Sequence, residues 1–261
     1  MDKLKTYLKH PLSFVLLILI GLASIITVAS IIFIIIYILV NGIPNLTTDL
    51  FSLHYNSKNQ SMLPSIFNTV FITFLTLLIA VPIGIFSAVY LVEYAKKGSK
   101  LVKVIRVTTE TLAGIPSIVF GLFGFLAFVI ALGWGYSMIA GVLTLVMMVL
   151  PTIIRTTEEA LLAVPNSYRE GSFGLGAGKI RTIFKIIVPT AIPGILSGVI
   201  LAIGRIVGET AALIYTSGTV AETATSLTDS ARTLSVHLYC LLSEGLFTNQ
   251  AYATAVILLL L

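Results

Sequence analysis

The chain is laid out as long uncharged runs separated by short stretches that hold nearly all of its charge. Residues 11 to 48 contain no Asp, Glu, Lys or Arg, and neither do residues 59 to 92 or 111 to 154. A helix of about 20 mostly apolar residues crosses about 30 Å of hydrocarbon. The first run therefore predicts a span near residues 12 to 40 and the second a span near 65 to 92. The third run, 44 residues, is too long for one crossing, and Gly133-Trp134-Gly135 puts a flexible turn and an interfacial aromatic in its middle. It predicts two helices, near 111 to 132 and 136 to 154. A fifth span is expected from about 190 to 215, interrupted only by Arg205 and Glu209, and a sixth from 251 to 261. At 1.5 Å per residue the sixth reaches only about 16 Å, so the natural chain is expected to continue beyond Leu261.

Composition turns this pattern into a class. Of 261 residues, 57% are hydrophobic and 10% charged, against roughly 25% charged in a soluble domain, and the mean hydropathy is +1.05. So few charges cannot build a water-facing surface, which leaves an all-α polytopic membrane protein surrounded by lipid, with residues 1 to 261 as one transmembrane domain. The lone cysteine, Cys240, excludes a disulfide-stapled domain, a CxxC zinc site and an iron–sulfur protein. His10, His54 and His237 are scattered and make no metal constellation, and no Ser/His/Asp or Cys/His grouping points to catalysis.

A net charge of +5 could signal nucleic acid, but the cations sit beside apolar spans, where they record orientation; no nucleic-acid partner is expected. With a cytoplasmic N-terminus, thirteen of the sixteen Lys and Arg fall inside: Lys3, Lys5 and Lys9; Lys96, Lys97, Lys100, Lys103 and Arg106; Arg155, Arg169, Lys179, Arg181 and Lys185. Lys58 and Arg232 fall outside, and Arg205 lies within a span. This asymmetry predicts a multi-pass protein of the cytoplasmic membrane with both termini inside. The first uncharged run is much longer than the roughly 7 to 15 apolar residues of a cleaved signal peptide.

Residues 155 to 188 form a long cytoplasmic loop. In it, Ser167-Tyr168-Arg169-Glu170 fits a capping box, with the Ser167 hydroxyl accepting from the Glu170 amide and the Glu170 carboxylate reaching back to the Ser167 amide. Pro165 discourages continuation of the preceding helix, and Gly176 stands where a left-handed stop is expected, so residues 168 to 175 predict a helix of about two turns. Tyr168, Phe173 and Leu175 on that helix either pack against the protein's own helix ends or dock a partner. Gly171, Gly174, Gly176 and Gly178 before Lys179 do not make a phosphate-cradling loop: GxxxxGK[ST] needs glycine at Phe173 and Ser or Thr at Ile180. Any ATP used is hydrolysed by another chain.

The stretch Glu170-Gly171-Ser172-Phe173-Gly174-Leu175-Gly176, then nine residues, then Ile186-Ile187-Val188-Pro189, resembles the EAA loop of ABC-importer permeases. Glu170, Gly176, Ile186 and Pro189 match in register; Gly171 and Ser172 replace the two alanines and Val188 replaces leucine. The segments Leu112-Ala113-Gly114-Ile115-Pro116-Ser117, Gly208-Glu209-Thr210-Ala211-Ala212 and Thr233-Leu234-Ser235-Val236-His237 are similar to phosphate-importer permeases of the PstA type, from about Ser65 to Leu261, with Ala212 where that group has proline. The sister PstC type shares the loop and Gly-Glu-Thr. The resemblance implies a MetI-like helical bundle that docks its ATPase through Glu170, Phe173, Leu175, Gly176, Ile186 and Pro189. It further implies a homologous second permease, two ATPase subunits that use ATP and Mg, an extracytoplasmic phosphate-binding protein, and inorganic phosphate as cargo. No cofactor is expected on this chain itself. A permease for another oxyanion and a stand-alone secondary transporter remain as alternatives, the latter without the internal repeat it would often show.

Arg205 and Glu209, four apart on one expected helix, should share a face within the bilayer, where isolated charges cost about 2.5 to 3.5 kcal/mol. They face either a substrate path, with Thr210 beside them, or a neighbouring helix or the second permease, as an ion pair that locks the helix and acts as a gate. In the path reading Arg205 contacts phosphate and Glu209 neutralises Arg205 between cycles. Small residues Gly194, Ser197, Gly198, Gly204, Gly208, Ala211 and Ala212 predict close helix approach there. Glu110 is expected to pair with Arg106 at the membrane edge, and Pro82, Pro116, Pro151 and Pro193 to produce bends.

Overall fold

A backbone in hydrocarbon has no water to bond, so each apolar run must satisfy its own N–H and C=O groups, and a single segment does that by forming a helix. The computed structural model describes residues 11–96 and 98–261 and contains, among those residues, helices and turns but no strand. Lys3, Lys5, Lys9 and Lys97 of the predicted cytoplasmic set, and His10, lie outside the described residues.

Helix α1 is Pro11–Gly42, and α2 is Leu63–Val89, which winds on as a π-helical turn, Tyr90–Tyr94. Next come α3 (Lys100–Ala113), α4 (Ser117–Gly124, extended by the π-helical Phe125–Ala131) and α5 (Met138–Ala163). After α6 (Asn166–Gly174), the short α7 (Lys179–Thr182) passes through the π-helical Ile183–Ile187 into α8 (Val188–Val207). The chain closes with α9 (Ala211–Thr216), α10 (Leu234–Glu244) and α11 (Thr248–Leu260).

Four segments are long and apolar enough to cross a membrane: Leu12–Asn45, Leu63–Tyr94, Met138–Ala163 and Lys179–Val207. The expected third span is different. Val102–Ala113 and Ser117–Ala131 meet at 102°, making a fifth crossing only if the two count as one broken span. Pro116 has no N–H to offer and drives Ile115 out of helical geometry, so α3 stops at Gly114 and the chain restarts at Ser117 in a new direction. Pro82, Pro151 and Pro193 sit inside α2, α5 and α8. The expected fifth span divides at residues 208–210 into α8 and α9. The expected sixth corresponds to α11, whose 13 residues cover about 20 Å.

Helix α5 is the axis of the bundle, with α2 and α8 along it and α3, α4 and α9 touching it. Its Val142, Leu145, Val149 and Ile153 are buried with Ile72 of α2, Phe120 of α4, Ile206 of α8 and Leu213 of α9. Two smaller clusters close the ends. Ala88, Leu161, Ile183 and Ile187 sit beside α6, and Leu50, Met62, Leu234 and Ala253 sit at the far end. In lipid such contacts gain little from leaving solvent, so close packing and polar bonds decide which helices associate. The predicted small-residue contacts hold in the first half of α8, where Gly194 and Gly198 lie against Ala160 and Thr156 of α5, and again at Ala211 and Ala212 of α9, which lie against Gly121 of α4; nothing approaches Gly204. Helix α1 packs chiefly on α11, where Tyr37 and Tyr252 meet edge to face at 5.9 Å, and exposes Ile, Leu and Val along most of its length.

Candidate functional site

The polar residues of the expected fifth span gather at a break. Helix α8 ends at Val207, with the Gly208 amide still donating to Gly204 at 3.2 Å and the Glu209 amide to Ile206 at 3.1 Å. Past that point the backbone is no longer helical, and the i,i+4 relation expected of Arg205 and Glu209 does not hold. Glu209 turns inward, 8% exposed, and its Oε1 accepts the Ala212 amide at 3.1 Å in the first turn of α9. Its backbone carbonyl accepts the Ser235 hydroxyl of α10 at 2.5 Å. Arg205 stays in the last turn of α8, half-buried and without an ion pair among the described residues. A cation there complements the helix dipole. Thr210 follows with its hydroxyl 3.4 Å from the Gly208 carbonyl. Among the described residues, Glu209 and Arg205 thus form no ion pair with each other.

This break is held from the side by α4. A Cβ on Gly121 would come within 2.8 Å of the Ala212 Cα, a backbone atom that cannot swing away. Only glycine lets α4 and α9 approach this closely. From the other side, Asn68 of α2 donates to the carbonyls of Glu222 and Arg232 and accepts the Ala224 amide at 3.0 Å, fastening the segment between α9 and α10. Nothing in the spacing of the sequence marks Asn68 for this role beyond its being the lone carboxamide in an apolar span. Near that segment, His237 is fully buried. The Arg232 guanidinium lies 3.3 Å from its Nδ1 and 5.5 Å from the Tyr55 ring centre.

The loop residues form the second part. Helix α6 begins at Asn166, directly after Pro165, so Ser167 is already inside the first turn and the expected capping box with Glu170 does not form. It ends as predicted: Gly176 adopts φ +80°, a conformation that costs glycine little, and its amide returns to the Phe173 carbonyl at 2.9 Å. Phe173 is 48% and Leu175 91% exposed, and Tyr168, Glu170 and Gly176 are exposed with them. Ile186 is half-buried in the π-helical segment that packs beside α6, while Pro189 stands in the first turn of α8.

Underneath, α6 is tied down. Arg169 Nη2 and Nε donate to Glu93 Oε1 at 2.7 and 3.1 Å, and its Nη1 and Nη2 reach the Val164 and Leu161 carbonyls at 3.0 and 3.1 Å. The hydroxyls of Ser172 and Thr182 meet at 2.8 Å, and Lys179 Nζ lies 4.6 Å from the Tyr94 ring centre. The expected Arg106–Glu110 pair is absent. Arg106 instead pairs with Glu158 of α5, because α3 folds back onto that helix.

Residues 80–261 match the family model described as "Binding-protein-dependent transport system inner membrane component". The probable ABC transporter permease protein YqgI of Bacillus subtilis is 38% identical over 200 residues, which is 76% of this chain and 68% of that protein. The phosphate transport system permease protein PstA 1 of Mycobacterium tuberculosis is 45% identical over 140 residues, 54% of this chain and 45% of that protein. The chain thus spans less than half the length of this mycobacterial relative. Among solved structures, a chain of the MetNI methionine ABC transporter in an inward facing conformation aligns with a TM-score of 0.58 at 19% identity, covering 76% of this chain and 85% of that one. That likeness shows the fold.

Proposed function

Because the chain belongs to the binding-protein-dependent transport system inner membrane components, we propose that it is the permease subunit of an ATP-driven importer of inorganic phosphate. The observation that carries this reading is α6, a short helix on which Phe173, with Leu175 just past its end, stands uncovered while its opposite side is bonded to the bundle. A surface so apolar and so firmly held suits an ATPase subunit as its cover. The relatives named as phosphate transport permeases supply the cargo.

In this reading a homologous second permease completes the path, two ATPase subunits use ATP and Mg at the α6 end, and an extracytoplasmic phosphate-binding protein delivers the ion opposite. The α6 end and the N-terminus face the cytoplasm, a placement supported by the crowding of Lys and Arg onto those segments. Among the described residues Arg205 has no ion pair, and its planar guanidinium can contact two phosphate oxygens at once. Glu209 and Thr210 shape the break beside it, with Glu209 holding α9. Alternating access then follows from movement of α6 against the ATPase, passed to the helices that carry the break.

Co-purification and phosphate uptake test this together. The chain, co-expressed with a second permease and ATPase and supplied with binding protein, should take up phosphate into proteoliposomes only with ATP. Removal of residues 166–176 should release the ATPase. Retention of the ATPase by that deletion, or absence of ATP-dependent phosphate uptake by the intact complex, overturns the reading.

A further inference from the structure

We propose that Arg169 and Glu93 form a positioning clamp that carries the movement of α6 directly into α2, a helix to which α6 has no close connection along the chain. This rests on the importer reading given above. By sequence, α6 joins only α5 before it and α7 and α8 after it, and a displacement would be expected to reach the bundle through those joints. The geometry adds a third route. Glu93 lies 76 residues before Arg169, on the π-helical turn that ends the second span.

A single guanidinium holds three elements here. It projects from α6, gives two bonds to the Glu93 carboxylate of α2, and caps the Leu161 and Val164 carbonyls at the end of α5. Those carbonyls are among the last of their helix and have no partner within it. The planar fork is what permits this: an ammonium is a compact charge without the directed array of five donors. The pair is also mostly shielded, with side chains 17% and 10% exposed. An exposed pair is weakened by water and flexibility, as expected of Arg155 and Glu159, whose side chains are 59% and 65% exposed.

Neighbouring contacts make α6, α7 and the end of α2 move together. The Ser172 and Thr182 hydroxyls join α6 to α7, and Lys179 at the start of α7 lies over Tyr94, the residue next to Glu93. Helix α2 in turn packs along α5 and carries Asn68, which fastens the segment beyond the Glu209 break. A push on α6 thus reaches both walls of the bundle at once.

The test is the amount of phosphate taken up per ATP hydrolysed, measured in proteoliposomes that hold the complete transporter with binding protein and inorganic phosphate. Glu93→Ala should lower this ratio about fivefold or more, the size of a typical coupling between sites. Glu93→Gln, which keeps an oxygen toward the Arg169 fork, should recover part of it, and the exposed Glu159→Gln should match wild type. Should Glu93→Ala not assemble, Arg169→Lys, which keeps the charge without the fork, gives the same reading at an intermediate ratio. A ratio within about twofold of wild type for the clamp variants, or an equal fall in Glu159→Gln, overturns the clamp. If wild type itself takes up no phosphate with ATP, the importer reading fails; uptake by wild type with unchanged ratios in the clamp variants sinks the clamp alone.

Discussion

One carboxylate oxygen of Glu93 accepts two hydrogen bonds from the Arg169 guanidinium, at 2.7 and 3.1 Å. This pair fixes the underside of α6 and so decides which of its residues face outward. With Arg169 turned in, Tyr168 and Phe173 are left half-exposed and Leu175 almost wholly so. The outward face and the anchored face are two results of one bonding arrangement.

Phe173→Ala combined with Leu175→Asp should weaken association with the ATPase about 30-fold or more, the loss expected for an apolar anchor worth about 2 kcal/mol. Because both side chains are substantially exposed, the chain itself should unfold within about 0.5 kcal/mol of wild type. Pull-down titration with the ATPase and thermal melting of the detergent-solubilised chain check the two halves. Undiminished binding counts against α6 as the docking face.

Glu209→Gln should leave uptake close to wild type, since the amide oxygen can still accept from Ala212 at the start of α9. Arg205→Lys should lower uptake about tenfold, because an ammonium cannot contact two phosphate oxygens in the same plane. Initial uptake rates at matched assembly decide. Normal uptake in Arg205→Lys removes Arg205 from the path.

Asn68→Ala should destabilise the protein by about 2 kcal/mol or more. It strips partners from the Glu222 and Arg232 carbonyls and from the Ala224 amide at one stroke. Asn68→Asp should be worse, as it sets an acceptor against two carbonyls. Melting curves in detergent report both, and an unchanged transition for Asn68→Ala would contradict the anchoring role.

His237 supplies a pH dependence. Burial first, and the Arg232 charge second, hold its imidazole down to about 4, against an ordinary 6.5, although the nearby Gln60 carbonyl acts the other way. The folded protein therefore binds this proton less readily than the unfolded chain. The associated stability is complete above about pH 6.5 and declines as pH falls toward 4, by on the order of 3 kcal/mol in all. His237→Gln should flatten the melting temperature across that interval. Equal pH slopes in variant and wild type would assign the effect elsewhere.

Much of the fold was legible in the positions of a few charges. The uncharged runs located α1, α2 and α5, and the register of Glu170, Gly176, Ile186 and Pro189 marked the loop that contains α6. Gly176 also announced the end of α6, because a left-handed turn is a local requirement that one residue can meet. The Ser167–Glu170 box failed for an equally local reason: Pro165 let the helix start earlier than the serine that was to cap it.

What the sequence determined alone was whatever depends on hydropathy and on one residue's backbone: the membrane class, the long helices and a bend at Pro116, but not the break at residues 208–210, which divides what reads as one continuous span. It could not set the angle at Pro116, because a proline ends a helix without saying where the next one goes; packing of α3 and α4 on α5 gives the 102°. Nor could it pair the charges. Spacing along a helix suggested Arg205 with Glu209 and Arg106 with Glu110, yet Glu209 caps α9, Arg106 meets Glu158, and Arg169 finds Glu93. An ion pair forms where two side chains are brought within reach in a shielded place, and for residues 76 positions apart only the assembled bundle decides that.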